Sequence, residues 1–123
     1  MPTTGRKILV VEDNPNMSSL LADMLEVFAI QSVRAVDGRD ALSKVDQHDF
    51  AMVITDMRMP KMTGTELLVR LKEKRPDMPV VLISGFSLAD ADDQAAVQLA
   101  DGFLSKPFRM NDIRRILEQH FTA

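Results

Sequence analysis

Four places in this chain set a polar or charged residue at the end of an apolar run. Glu12-Asp13 follow Ile8 to Val11, Asp56 comes two residues after Ala51 to Ile54, Ser84-Gly85 follow Val80 to Ile83, and Lys106-Pro107 come just after Gly102 to Leu104. Carboxylates, a hydroxyl and an ammonium, with no histidine or cysteine among them, describe an oxygen-ligand site. Carboxylates crowded together raise one another's pKa, and a divalent cation relieves the repulsion. Oxygen-only donors point to Mg²⁺ or a similar hard ion. Lys106 and the Ser84 hydroxyl could then complete a pocket for an anion. Phosphoryl chemistry needs this set: a metal, a cation and a hydroxyl donor around the oxygens of the transferred group. Asp56 is the candidate nucleophile, because a carboxylate is ionised at neutral pH and attacks phosphorus without a general base.

Each residue alone has an ordinary reading. An aspartate after a strand caps a helix or fills a turn, Glu12-Asp13 could be a solvated pair, Lys106 a surface lysine and Ser84-Gly85 a loop. Their joint occurrence at four strand ends carries the functional reading, provided that the elements between them bring those ends together.

The elements do alternate in the required way. Lys7 to Val11, Ala51 to Ile54 and Val80 to Ile83 are apolar without alternation, the pattern of strands covered on both faces. Gln31 to Val36 and Gly102 to Leu104 are weaker strands. Between them, Met17, Leu20, Leu21, Met24, Leu25 and Phe28 form a helical stripe, started by Asn14 as cap and Pro15 at the first position. A second helix opens at Asp37-Gly38 and runs to about Gln47. A third follows Thr63 to Glu66, turns Leu67, Leu68 and Leu71 inward, and stops at Pro76 and Pro79. An alanine-rich fourth covers 88–100, and a fifth, from Met110 to Phe121, aligns Ile113, Ile116 and Leu117. Five strands alternating with five helices predict a parallel sheet with helices on both faces, and in such sheets ligands bind beyond the carboxyl ends of the strands.

Composition excludes several other classes. With 123 residues the chain fits one domain, and 46% apolar against 27% charged residues is a globular balance. A net charge of −3 offers no basic footprint for nucleic acid or an acidic membrane surface. The absence of cysteine removes disulfides, thiol nucleophiles and thiolate metal sites. No apolar run approaches the roughly 18 residues that span a membrane. The polar lead, residues 1–6, lacks the apolar core of a signal peptide. A cytoplasmic domain covering 7–121 is expected.

At this point the sequence resembles the receiver domains of two-component response regulators over nearly its full length. "ILVVEDNP" looks like the family's first strand and acidic pair, and "VITDMRMPKMTG" is similar to its phosphoacceptor segment. "VVLISGF" resembles the fourth strand with its hydroxyl residue, and "ADGFLSKPF" the fifth strand with its lysine-proline. The resemblance implies a doubly wound (βα)5 flavodoxin-like three-layer sandwich with a parallel five-stranded sheet in the order 2-1-3-4-5. It also implies that Asp56 takes a phosphoryl group from a sensor histidine kinase, a phosphotransfer domain or a small donor such as acetyl phosphate. Asp13, Asp56 and the main-chain carbonyl of Arg58 would hold Mg²⁺, with Glu12 reaching it through water. Ser84 and Lys106 would bind phosphoryl oxygens, Lys106-Pro107 would be a cis peptide, and Ser84 with Phe103 would form the switch. Glu12 stands where many members have Asp, Ser84 where Thr is frequent, and Phe103 where some have Tyr. Met57 and Met59 would flank the Arg58 carbonyl and shape access to the site.

The expected output is binding rather than turnover: the module catalyses only its own phosphorylation and dephosphorylation. Ser84 would move onto the new phosphoryl group and Phe103 would rotate into the space behind it, biasing the face made by the fourth helix, fifth strand and fifth helix. The alanines of the fourth helix allow either shallow, mobile anchoring or simple close packing. Asp90, Asp92, Asp93 and Asp101 oppose Arg109, Arg114 and Arg115 across this face, which suits either a weak homodimer on phosphorylation or a solvated charged surface. Other readings are a receiver portion of a hybrid histidine kinase or transcription regulator, a phosphate-blind interaction module, and a haloacid-dehalogenase-type phosphatase. The last expects a second Asp where Arg58 stands, and room for a cap domain. The downstream target is not legible.

Overall fold

The computed structural model describes residues 7–57, 59, 62–84, 94, 98–106 and 108–120. The apolar runs form five parallel strands: β1 (Lys7–Val11), β2 (Gln31–Ala35), β3 (Met52–Asp56), β4 (Val80–Ser84) and β5 (Gly102–Ser105). Their order across the sheet is β2-β1-β3-β4-β5. The chain therefore moves outward in one direction from β1 to β2, then returns past β1 to build the other side. The expected doubly wound architecture is the observed one.

The run of β-branched residues fixes the middle of the sheet. All five residues of β3 and of β4 are buried, as burial on both faces requires. Side chains alternate between two cores. Leu9, Val53, Val80 and Leu82 face α2 (Gly38–Gln47) and α3 (Gly64–Lys74). Ile8, Val10, Ile54, Val81 and Ile83 face α1 (Pro15–Val27) and the C-terminal helix (Met110–His120). Three layers result, with the sheet in the middle.

Helix starts follow from local hydrogen bonding. Asn14 caps α1 through Oδ1, which accepts from the N–H groups of Asn16 at 2.9 Å and Met17 at 3.3 Å. Asp37 does the same for α2, accepting from Asp40 N–H at 2.8 Å. Thr63 and Glu66 form a reciprocal capping box at the start of α3.

Three expectations change in detail. Leu20 does not join the buried stripe of α1; it is 47% exposed, and Ser18 is buried instead. Successive helical positions differ by about 100°, and the buried face of α1 is centred on Leu21, Met24 and Leu25, which leaves Leu20 at its solvent edge. Strand β3 runs on through Asp56, so the acid is the last residue of the strand and not a loop residue beyond it. Met57 and Met59 are core residues, buried with Leu67, Leu68 and Leu71. The fourth-helix expectation lies largely outside the described residues, although Gln94, Gln98 and Leu99 are helical.

Candidate functional site

The sheet order makes β1 and β3 neighbours, with Val10 paired to Ile54 and Val11 to Thr55. Their carboxyl ends therefore lie side by side at the switch point of the fold. Glu12 leaves β1 with its N–H donating to Ala35 O at 3.1 Å, and the residue is only 3% exposed. One of its oxygens, Oε2, accepts from Asn14 N–H at 3.1 Å. The other, Oε1, is buried and has no hydrogen-bond partner among the described residues. Asp13 points to solvent beside it.

Asp56 is 6% exposed and is held by the sheet, since the next residue donates its N–H to Ile83 O at 3.0 Å. Carboxylate oxygens from Glu12, Asp13 and Asp56 all lie within 4.8 Å of one another. Lys106 faces this group from the end of β5. Its Nζ donates to Asp56 Oδ2 at 3.2 Å and lies 3.9 Å from Glu12 Oε1. Its main-chain N–H donates to Ser84 O at 2.8 Å, which ties β5 to the end of β4. Ser84 ends β4 and is 3% exposed.

Among the described residues, three carboxylates meet one ammonium here. The pKa of Glu12 is raised to about 7. Burial is the largest cause; the Asn14 N–H opposes it, the Asp56 charge adds to it and Lys106 opposes it. The residues present fit a hard divalent cation: the donors are all oxygen, they are close together, and the buried Glu12 Oε1 has no hydrogen-bond partner among the described residues.

The structure thus brings Glu12, Asp13, Asp56, Ser84 and Lys106 to one end of the sheet. Phe103, on β5 opposite Leu82, is partly buried against the α2/α3 core. Arg58 and Pro107, expected to supply a metal-ligating carbonyl and a cis peptide, lie outside the described residues. A cleft of 590 Å³ lies at the other end of the strands, near Lys7, Glu26 and Gln31, away from these groups.

Sequence reasoning missed two neighbours of Asp56. Thr55 is fully buried and its hydroxyl donates to Asp56 O at 3.1 Å. Gly64, the first residue of α3, donates its N–H to Met57 O at 3.0 Å. A glycine at the first helical position, where its conformational freedom has no use, was the available signal. The charged face also differs from expectation. Asp101 does not stand free for an acidic half but bonds Lys72 and the N–H of Val80 within the chain. Asp90, Asp92 and Asp93 lie outside the described residues.

Comparison with known proteins agrees with this arrangement. The family model described as response regulator receiver domain matches residues 8–118. The response regulator receiver protein CpdR of Brucella abortus is 29% identical over 118 residues, covering 96% of this chain and 98% of that protein. The transcriptional regulatory protein TcrA of Mycobacterium tuberculosis is 33% identical over 110 residues, or 89% of this chain. The sensor histidine kinase RcsC of Escherichia coli K12 is 34% identical over the same share. The chain spans 44% of the length of TcrA and 12% of that of RcsC. Among solved structures, the response regulator protein TrrA of Thermotoga maritima in complex with Mg(2+)-BeF superimposes with a TM-score of 0.85. It is 27% identical, and the match covers 93% of this chain and 97% of that one. The chain belongs to the response regulator receiver domain family, the receiver modules of two-component systems.

Proposed function

We propose that Asp56 is the phosphoacceptor and that it receives its phosphoryl group from the phosphohistidine of a sensor histidine kinase or phosphotransfer domain, or from a small donor such as acetyl phosphate. The observation that carries this reading is the Lys106 ammonium 3.2 Å from Asp56 Oδ2 inside a cluster of three carboxylates. Asp13, Asp56 and the Arg58 carbonyl would hold Mg²⁺, with Glu12 beside them. Mg²⁺ supplies positive charge to the phosphoryl oxygens and cancels the repulsion between donor and acids.

The chain's own residues do the rest. The sheet holds Asp56 still while a carboxylate oxygen attacks phosphorus in line. The bond from phosphorus to the donor's ring nitrogen breaks, and that nitrogen's electron pair leaves with the imidazole. Lys106 donates to one phosphoryl oxygen and the Ser84 hydroxyl to another, two charge-stabilising contacts made as the negative charge arrives. The phosphoryl group carries about −1.5 to −2 charge on three acceptor oxygens where the Asp56 carboxylate carried a single charge, which biases Ser84 and Phe103 toward a second arrangement. The module acts on itself alone, without turnover of an external substrate, and its output is binding through the face around β5 and the C-terminal helix. Self-association of that face is checked by sedimentation with a beryllofluoride mimic; an unchanged monomer at high concentration rules it out.

Incubation with acetyl phosphate and Mg²⁺, followed by intact mass, tests the central reading. Wild type should gain one phosphoryl group and Asp56→Asn none. An unmodified wild type overturns the reading.

A further inference from the structure

Helix α3 begins directly against the peptide that carries Asp56. A Cβ placed on Gly64 would lie 2.7 Å from Met57 Cα and 3.0 Å from the carbonyl carbon of Asp56, and would strike Asp56 O. All three are backbone atoms, and none can rotate away. The same carbonyl oxygen accepts from the buried Thr55 hydroxyl at 3.1 Å. On the far side, Met57 N–H is bonded to Ile83 O and Met57 O to Gly64 N–H. The peptide after Asp56 is therefore gripped from both sides, by β4 and by the first residue of α3.

Gly38 makes a natural contrast. It is also the first residue of a helix behind a side-chain cap, and it is also buried. The three atoms nearest a Cβ there all belong to the Met62 side chain, at 2.5 Å from Sδ and 3.0 Å from Cβ and Cγ. That neighbour is a flexible side chain that can swing aside.

We infer that Gly64, with Thr55, is a positioning residue for phosphoryl transfer at Asp56. By having no side chain, Gly64 lets α3 seat against the Asp56 peptide and so fixes the carboxylate relative to Glu12, Asp13 and Lys106. This rests on the reading of Asp56 as phosphoacceptor. Displacing an attacking group by about 1 Å can slow a reaction about 10²-fold, so a forced backbone shift should be plain in the rate.

The experiment compares wild type, Gly64→Ala, Gly38→Ala and Thr55→Val. It reads folding by circular dichroism, phosphorylation by acetyl phosphate at saturating Mg²⁺, and amide shifts of Asp56, Met57 and Ile83 without metal. Folded Gly64→Ala should react at least about 10-fold more slowly and move those amide shifts, while Gly38→Ala stays within about twofold and leaves them in place. Folded Gly64→Ala within about threefold of wild type, with unmoved shifts, overturns the inference. If Gly64→Ala does not fold, Thr55→Val decides. A folded Thr55→Val at least about threefold slower supports the inference, and an unchanged rate overturns it. A wild type that takes up no phosphoryl group would instead overturn the phosphoacceptor reading itself.

Discussion

The two ends of the sheet treat acids in opposite ways. At the amino end, acids meet bases nearly one for one: Asp46 with Lys74 at 2.8 Å, Asp49 with Arg75 at 3.2 Å, and Asp101 with Lys72. Arg75 also donates to Val45 O at 2.8 Å, and Lys72 to Met78 O at 3.1 Å. These pairs close the ends of α2, α3 and β5 and leave little charge unbalanced. At the carboxyl end, three acids gather beside one lysine among the described residues, and two of the acids are buried. Within the described residues, the first end is balanced pair by pair and the second has more acids than bases. The difference teaches where free energy is held back for a ligand, because a bound cation can relieve only the second end.

The largest test of that contrast is Asp56→Asn. Phosphoryl uptake should fall below detection by intact mass, and the remaining acid end should lose most of its response to Mg²⁺. In wild type, Mg²⁺ at about 100 times its Kd should add about 2.7 kcal/mol to unfolding free energy, measured by urea titration with and without a chelator. A wild type whose stability ignores Mg²⁺ would mean that no free energy is held back at the acid end.

Lys106→Ala comes next. It should slow phosphorylation by acetyl phosphate by about 10²-fold, the typical effect of losing one donor to a developing charge. A rate within threefold of wild type, again read by mass, would remove Lys106 from the chemistry. Lys72→Met is the counterpart at the amino end. Breaking its bonds to Asp101 and Met78 O should lower stability by about 1–2 kcal/mol while leaving phosphorylation unchanged. If it instead slowed phosphorylation as strongly as Lys106→Ala, the division between the ends would fail.

The smallest effect belongs to an acid at the carboxyl end that is satisfied locally. The Lys44 ammonium, bonded to Asp40 at 2.6 Å, holds the Asp40 carboxyl below its usual value, with Val36 N–H assisting. A pKa depressed by folding gives stability that is present above the unfolded value and lost as pH falls through the folded one. Asp40→Asn should therefore lower stability by about 0.5 kcal/mol at pH 7, and the gap should close as the pH is taken well below 3.8. A constant gap across that range would assign the effect to something other than charge.

The sequence made some of this plain and hid the rest for physical reasons. The strands were legible because burial on both faces demands unbroken apolar runs, as in Val80 to Ile83. The site was legible because β1, β3, β4 and β5 each end in a group with chemistry. Leu20 was misplaced because a three-and-four spacing marks a face about two residues wide and does not pick its edge. Met57 and Met59 follow the acid so closely that they looked like parts of the site, yet they plug the core below it. The Lys72–Asp101 pair spans 29 positions, and only the folded chain brings it together. Gly64 and Thr55 act through backbone contact, which no side-chain pattern announces.

Lys106 has a further consequence, for the order in which the molecule assembles. Its main chain is bonded to the end of β4 and its ammonium to an acid 50 positions earlier. A partly folded chain with β1, β3 and β4 joined but β5 undocked would gather the acids without their lysine. Such an intermediate carries an electrostatic penalty that only the docking of the last strand removes. The repulsion disfavours stopping short and presses folding toward a single cooperative step. Added salt, which screens the acids before β5 arrives, should therefore speed folding without slowing unfolding.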